Sequence, residues 1–281
     1  MPDLNSRQVI IAIALLGILG MLGPIGNDIF IPSIPNIAKG LNTTTNLVSA
    51  SIAAIFLGTA IGTLLYGPLA DRFGRKPVIL WVLALYAIAA TAAALSSNVE
   101  TLILCRFCQG IAQSGGRVLS ATVARDLFNK EKLGKMMSDI MFVTALAPVV
   151  APILGGFTAK YFPWQSSLVF TAIFGGSVFI LFSIMFKESI KSGPRTKLQL
   201  AVLYKNFAVT IANHNFQMHS LCGGFMLAGF VVFLSVSASV LIVSYGVPAE
   251  TYGFLFAAIS GCYLSGTFIG GRLVTRLGLG R

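Results

Sequence analysis

Two kinds of residue in this 281-residue chain stand where lipid-like surroundings should exclude them. The first is a carboxylate. Asp28 lies in the segment Asn27-Asp28-Ile29-Phe30-Ile31-Pro32-Ser33-Ile34-Pro35, late in an apolar run over about residues 8–35. A charge inside a bilayer is costly, so such a residue either sits at the wetted interface or faces an internal cavity for a functional reason. In a cavity, desolvation and a neighbouring cation would pull its proton affinity in opposite directions, which leaves it able to load and release a proton. Pro32 and Pro35 lack an amide donor and should loosen the end of the helix that follows. The second kind is a stripe on the apolar run over about 99–122. Arg106, Gln109, Gln113 and Arg117 are spaced i, i+3, i+7 and i+11. At 100° per residue they point to about 0°, 300°, 340° and 20°, one narrow face that must line protein or water. Gly110 lies within the stripe and Ser120 continues it. Arg106 is either a fixed brace between helices or a cavity arginine touching Asp28 or a substrate; we favour the second. Arg117, farther along the helix, fits either role.

Three further patterns concern the backbone. Gly67-Pro68-Leu69-Ala70-Asp71-Arg72-Phe73-Gly74-Arg75-Lys76 is a burst of glycine and charge between apolar runs at about 47–66 and 77–95, and reads as a tight loop. A degraded copy follows 204 positions later, where Gly67, Leu69, Arg72 and Gly74 recur as Gly271, Leu273, Arg276 and Gly278. In the run at about 136–158, small residues and prolines recur every four residues, as Ala147/Ala151/Gly155 and Pro148/Pro152/Gly156. Small faces let helices approach closely, and the prolines bend the ladder, so this is a packing seam or a hinge.

Other chemistries find little footing. No catalytic constellation is present, and there is no nucleotide-binding Gly-x-x-x-x-Gly-Lys-Ser/Thr loop. His214 and His219 have no carboxylate or cysteine cluster beside them, so no metal site is expected. Cys105, Cys108, Cys222 and Cys262 all lie within apolar runs and read as small core residues. An ion gradient is therefore the expected energy source, with no cofactor.

These residues must be positioned by helices in a membrane. The chain is 56% hydrophobic and only 10% charged, where soluble domains carry about 25%. Eight apolar runs, at about 8–35, 47–66, 77–95, 99–122, 136–158, 165–186, 216–243 and 250–270, are each about the length that crosses a bilayer. They must be helices, because lipid satisfies no open sheet edge. The first is too long for a signal-peptide core and lacks a cleavage site, so it is expected to remain. Thr45 or Asn46 is expected to cap the second run. Trp81 and Trp164 are expected at the interface. Sixteen of the twenty Lys and Arg residues fall at the N-terminus and in the loops after runs 2, 4, 6 and 8; only Lys39 and Lys160 lie opposite. By the positive-inside rule that face is cytoplasmic, with the N-terminus on it. The same bias accounts for the net charge of +11 without a nucleic-acid partner.

The repeat and the long basic segment at 187–215 divide the chain. Residues 1–186 read as a six-helix bundle, 187–215 as a cytoplasmic linker and 216–281 as part of a second bundle. The offset predicts four further spans after Arg281, so the chain is expected to be C-terminally incomplete.

The sequence resembles the major facilitator superfamily, and within it the drug:proton antiporters of the bicyclomycin/chloramphenicol-resistance (Bcr/CflA) type. Gly67 to Lys76 matches the family's signature between helices 2 and 3, and Arg106 with Gln109-Gly110 its helix-4 signature. Pro148 to Gly156 resembles the helix-5 antiporter motif, although Ala147 and Ala151 stand where glycines are common. Asn27-Asp28 to Pro35, Arg125-Asp126-Leu127-Phe128 and Phe162-Pro163-Trp164-Gln165-Ser166 are also similar to members. The resemblance implies an all-α integral membrane protein with eight of twelve transmembrane helices present. It implies proton-coupled multidrug efflux by alternating access across the bacterial inner membrane, in a protein that is a monomer when complete. Asp28 and Arg106 would couple protons, and Asn27, Gln109, Gln113, Arg117 and Phe230 would line the cavity for a small lipophilic or cationic substrate. Gly67, Asp71, Arg72, Gly74 and Arg75 would form a gating latch, and Pro148, Pro152, Gly155 and Gly156 the antiporter motif. Transport of another small solute and a non-transporting membrane protein are the alternatives.

Overall fold

The computed structural model describes residues 5–189 and 209–277. Its long helices are α1 (Ser6–Gly40), α2 (Thr45–Phe73), α3 (Arg75–Ala94), α4 (Val99–Leu127), α5 (Glu131–Tyr161), α6 (Ser166–Met185), α7 (His214–Ser244) and α8 (Ala249–Leu277). No strand occurs among the described residues. All of these except α4 and α8 are long and apolar enough to cross a membrane. The buried stripe of arginine and glutamine makes α4 more polar than its neighbours. Most of the expected linker, residues 190–208, and the end of the repeat from Gly278 lie outside the described residues.

α1 is broken where its prolines demand it. Its helical pieces are Ser6–Gly20, Leu22–Asp28 and Ile34–Gly40, with a 3-10 turn at Ile31–Ser33. Pro32 and Pro35 each fall in the first turn of a piece, where the missing amide costs no helical bond. The cap of α2 falls one residue earlier than expected. The Thr44 hydroxyl accepts from the Leu47 amide at 3.4 Å, while Asn98 caps α4 by accepting from Thr101 at 2.8 Å. Of the two tryptophans, Trp81 is 55% exposed, but Trp164 is taken up against Gly40.

The burst at 67–76 is not a ten-residue loop. α2 runs through Gly67 and Pro68 to Phe73, and α3 begins at Arg75. The reversal is made at Gly74 alone, with φ at +99°, a conformation side chains rarely adopt. Pro68 is accommodated inside α2.

The helices are drawn together by small residues. Gly58 and Gly62 of α2 meet the backbone of Phe107 and Ile111 on α4, and Gly110 of α4 meets the Ile55 carbonyl of α2. Such reciprocal contacts let two backbones approach where lipid supplies no hydrophobic drive. Two buried cores result. One, towards the basic end, joins Leu16, Leu19, Val82, Leu119 and Phe182. The other, at the far end, joins Phe30, Ile34, Ile52 and Leu102 to Leu234, Tyr252 and Phe256. Only the second contains residues of α7 and α8. Residues 214–230 of α7, on the basic side, are exposed throughout.

Candidate functional site

The site grows from the break in α1. The amide of Phe30 bonds to the Asn27 carbonyl at 3.2 Å rather than continuing the regular ladder. The Gly26 carbonyl beside it accepts from Arg106 Nη1 at 2.9 Å. The same nitrogen donates to Gln109 Oε1 at 2.8 Å, and the guanidinium carbon lies 4.3 Å from the centre of the Phe30 ring. Arg106 is 0% exposed. Gln113 donates to Thr59 Oγ1 at 2.9 Å, and Thr59 in turn donates to the Ile55 carbonyl at 2.8 Å. Tyr86 of α3 donates to the Leu22 carbonyl at 2.8 Å. Gly26 is the point on which this group closes. A β-carbon there would lie 2.7 Å from the Tyr86 hydroxyl, 3.3 Å from Gln113 Oε1 and 3.4 Å from Gln109 Nε2.

The group is not self-satisfied. Arg106 Nε and Nη2, Gln109 Nε2, Gln113 Oε1 and Asn27 Oδ1 are buried without a hydrogen-bond partner. A buried cation with spare donors is expensive unless something else meets it. Two arginine nitrogens and an amide nitrogen offer donors, and two side-chain carbonyls offer acceptors. This arrangement suits water or a polar ligand group bearing acceptors.

Asp28 is also buried, 7% exposed. Among the described residues the ion pairs are Arg75–Asp71, Arg75–Asp126 and Lys160–Glu250, so Arg106 and Asp28 are not paired. Arg106 holds the backbone two residues before the carboxylate. Asp28 is instead flanked by Phe30 and Ile31, which share a buried core with Tyr252 of α8. The other expected residues divide. Asn27, Gln109 and Gln113 gather at Arg106. Arg117 is exposed, and Phe230, 48% exposed on α7, belongs to neither buried core.

The small residues of α5 serve two neighbours. Gly155 lies against the Ile29 backbone of α1, whereas Gly156 meets Ala249 and Glu250 of α8, and Gly253 of α8 meets the Pro152 carbonyl. Pro152 is buried, and Pro148 half-buried one turn earlier. Beyond the seam, Lys160 pairs with Glu250.

At the basic end, Arg75 is buried and holds two carboxylates, Asp71 Oδ1 at 2.7 Å and Asp126 Oδ2 at 2.9 Å. Glu188, after α6, accepts from the amides of Arg75 and Lys76 at 3.0 and 3.1 Å, so a carboxylate caps α3. Lys76 Nζ donates to the Ser183 carbonyl at 2.9 Å. Arg72 is exposed and stacks on Phe73. Gly67 has nothing within 4 Å of the place of a β-carbon. The turn between α2 and α3 is thereby tied to the ends of α4 and α6.

Sequence reasoning missed Tyr86, Thr59, Glu188, Tyr252 and Ser237 as members of these groups, and noted Asp126 only as part of a motif. The single polar groups of Tyr86 and Thr59 inside apolar runs were the available signal. Glu188 carried none, because its role depends on where α6 ends in space.

The family model described as the Major Facilitator Superfamily matches residues 16–281. A bicyclomycin resistance protein homolog of Haemophilus influenzae is 33% identical over 274 residues, which are 98% of this chain and 69% of that protein. Multidrug resistance protein D of Escherichia coli is 28% identical over 260 residues, 90% of this chain and 64% of that one. A bacterial homolog of the human lysosomal transporter Spinster, solved in an inward-facing, unoccupied conformation, superposes with a TM-score of 0.74 at 18% identity, covering 99% of this chain and 64% of its own. The chain thus spans about two thirds of the length of these proteins.

Proposed function

The chain belongs to the major facilitator superfamily, and from that premise we propose that it takes part in proton-coupled export of small drug-like molecules by alternating access. Its curated relatives named for bicyclomycin and multidrug resistance support a drug-export role. The observation that carries the reading is the broken α1. It holds a buried carboxylate, Asp28, two residues past the carbonyl bonded by a fully buried Arg106 with unmet donors. A proton on Asp28 and a substrate against Arg106, Gln109, Gln113 and Asn27 would favour different orientations of the cavity, and competition between them gives exchange.

In this reading all eight long helices cross the bacterial inner membrane, with the basic end and the N-terminus in the cytoplasm. Residues 1–186 form the first bundle, 187–215 the linker and 216–281 part of the second, within a twelve-helix whole that acts as a monomer. The Arg75 network, with Gly67, Asp71, Arg72 and Gly74, latches the cytoplasmic end. The seam at Pro148, Pro152, Gly155 and Gly156 lets α5 slide against α1 and α8. Arg117 and Phe230 face the cavity from the cytoplasmic side. The substrate is small and lipophilic or cationic, and the proton gradient is the energy source, with no cofactor, metal or catalytic residue.

The test is efflux of ethidium from cells expressing the chain, with and without a protonophore. Efflux above the empty-vector level that collapses when the gradient is dissipated supports the reading. Efflux indifferent to the gradient overturns its proton-coupled part.

A further inference from the structure

Asp28 lies next to the buried core that both halves of the chain share, and the second half contributes a tyrosine to that core. Tyr252 of α8 is 1% exposed and packs in one apolar core with Phe30 and Ile31, the near neighbours of Asp28. Its hydroxyl is fixed by a 2.7 Å hydrogen bond to Ser237 Oγ of α7, in which either oxygen can be the donor. Its ring leans on Phe256 at 6.1 Å. The backbone on both sides is held as well: Gly253 sits on the Pro152 carbonyl, and Ala249 and Glu250 on Gly156. On the other side of the carboxylate, Ile29 rests on Gly155 of the same α5 segment. The backbone next to Asp28 and the backbone next to Tyr252 thus both rest on residues 152–156 of α5, where the halves close together.

We propose that Tyr252 is a positioning residue through which the α7–α8 half responds to the proton on Asp28. When the carboxyl is protonated it can offer a hydrogen to the tyrosine–serine pair, and when it is ionised it can accept one. The pair can turn either way because each hydroxyl both donates and accepts. The change is passed to α7 through Ser237 and to α8 through the backbone of Tyr252. The other ionisable groups in the far-end halves of the elements around Asp28 are few: Lys39 on α1, Tyr86 on α3, Glu100, Cys105, Arg106 and Cys108 on α4, Lys160 and Tyr161 on α5, and Glu250 and Cys262 on α8. α6 has none, and those of α7 lie in its first turns. The inference rests on the reading of Asp28 as a proton site.

The test measures closure of the far end, which needs no transport. Ser49 Oγ of α2 donates to the Ser235 carbonyl of α7 at 2.7 Å, so the two positions report contact between the halves. The four native cysteines are replaced by serine, cysteines are placed as Ser49→Cys and Ser235→Cys, and oxidative cross-linking of the 281-residue chain in membranes is followed from acid to alkaline pH. The parent should show a sigmoidal pH profile, and Asp28→Asn should flatten it. Tyr252→Phe, which keeps the ring, should shift the midpoint by about one pH unit, about tenfold in proton affinity, or flatten the profile. Ser237→Ala, which leaves the tyrosine in place, should shift it the same way by less, and decides the matter if Tyr252→Phe fails to insert. A Tyr252→Phe profile that superimposes on the parent while Asp28→Asn is flat overturns the inference and leaves the proton site standing. A flat parent profile removes the proton site itself, and this inference with it.

Discussion

Arg106 shows how much one side chain can be asked to do when lipid surrounds the fold. Its planar guanidinium bonds a backbone carbonyl and a glutamine from one nitrogen, lies over a phenyl ring and still has two nitrogens unmet. A lysine supplies a point charge without that geometry. Arg106→Lys should therefore lower ethidium efflux at least as far as half-way to that of Arg106→Ala, with both variants inserted. Parent-like efflux from Arg106→Lys would show that charge alone suffices. Arg106→Ala should also lower thermal stability, since it strands the Gly26 carbonyl at a cost of about 1–3 kcal/mol. Gly26 gives a sharper test of the same group. A methyl there strikes the Tyr86 hydroxyl at 2.7 Å, so Gly26→Ala should impair both stability and efflux, and Gly26→Ala with Tyr86→Phe should recover part of the loss. No recovery in the double variant, measured by melting in detergent, would mean that the glutamines rather than the tyrosine set the limit. The i, i+3, i+7 spacing made Gln109 legible as a partner of Arg106 and Gln113 as a member of the same group. Arg117 on the same face is exposed, because an angle fixes the face of a helix but not which neighbour covers that face. Tyr86 was not legible, since its bond to Leu22 spans 64 positions of sequence.

Among the elements, contacts between backbones separate glycines that hold the fold from those that do not. Gly110 lies on the Ile55 backbone and Gly58 on that of Phe107, neither of which can swing aside as a side chain would. Gly110→Ala and Gly58→Ala should each cost about 1–3 kcal/mol by overpacking, seen as a fall in folded yield and melting temperature. Gly67→Ala meets nothing and should melt like the parent. Equal melting of all three variants would mean that the α2–α4 contact is looser than described. The existence and rough placing of the helices were legible, because continuous apolar runs of this length have few other folds. Their ends were less so. Charge between two apolar runs reads as a loop, yet α2 carries Asp71 and Arg72 inside its last turn and leaves the reversal to one glycine. What permits this is Arg75 joining Asp71, four positions before it, to Asp126, and Glu188 capping α3; the contacts to Asp126 and Glu188 span 51 and 113 positions of sequence. Local pattern holds no trace of them.

At the scale of the molecule, α7 and α8 meet the first six helices at the far end, through the α5–α8 glycine seam, the Lys160–Glu250 pair and the Ser49–Ser235 bond. Towards the basic end, residues 214–230 of α7 are exposed. In the proposed orientation, with the basic end in the cytoplasm, the end at which the halves meet is the outer one. Locking it should stop any cycle: oxidising the Ser49→Cys, Ser235→Cys pair should abolish efflux and reduction should restore it. Efflux undiminished by the cross-link would separate transport from movement at this end. The central claim is that Asp28 exchanges a proton for substrate, and it is tested most directly in vesicles carrying the protein under an imposed pH difference. The parent should accumulate ethidium against its gradient. Asp28→Asn should lose that accumulation yet still exchange labelled for unlabelled ethidium at equilibrium, because only the proton step has been removed. Accumulation by Asp28→Asn at the parental rate would contradict the account.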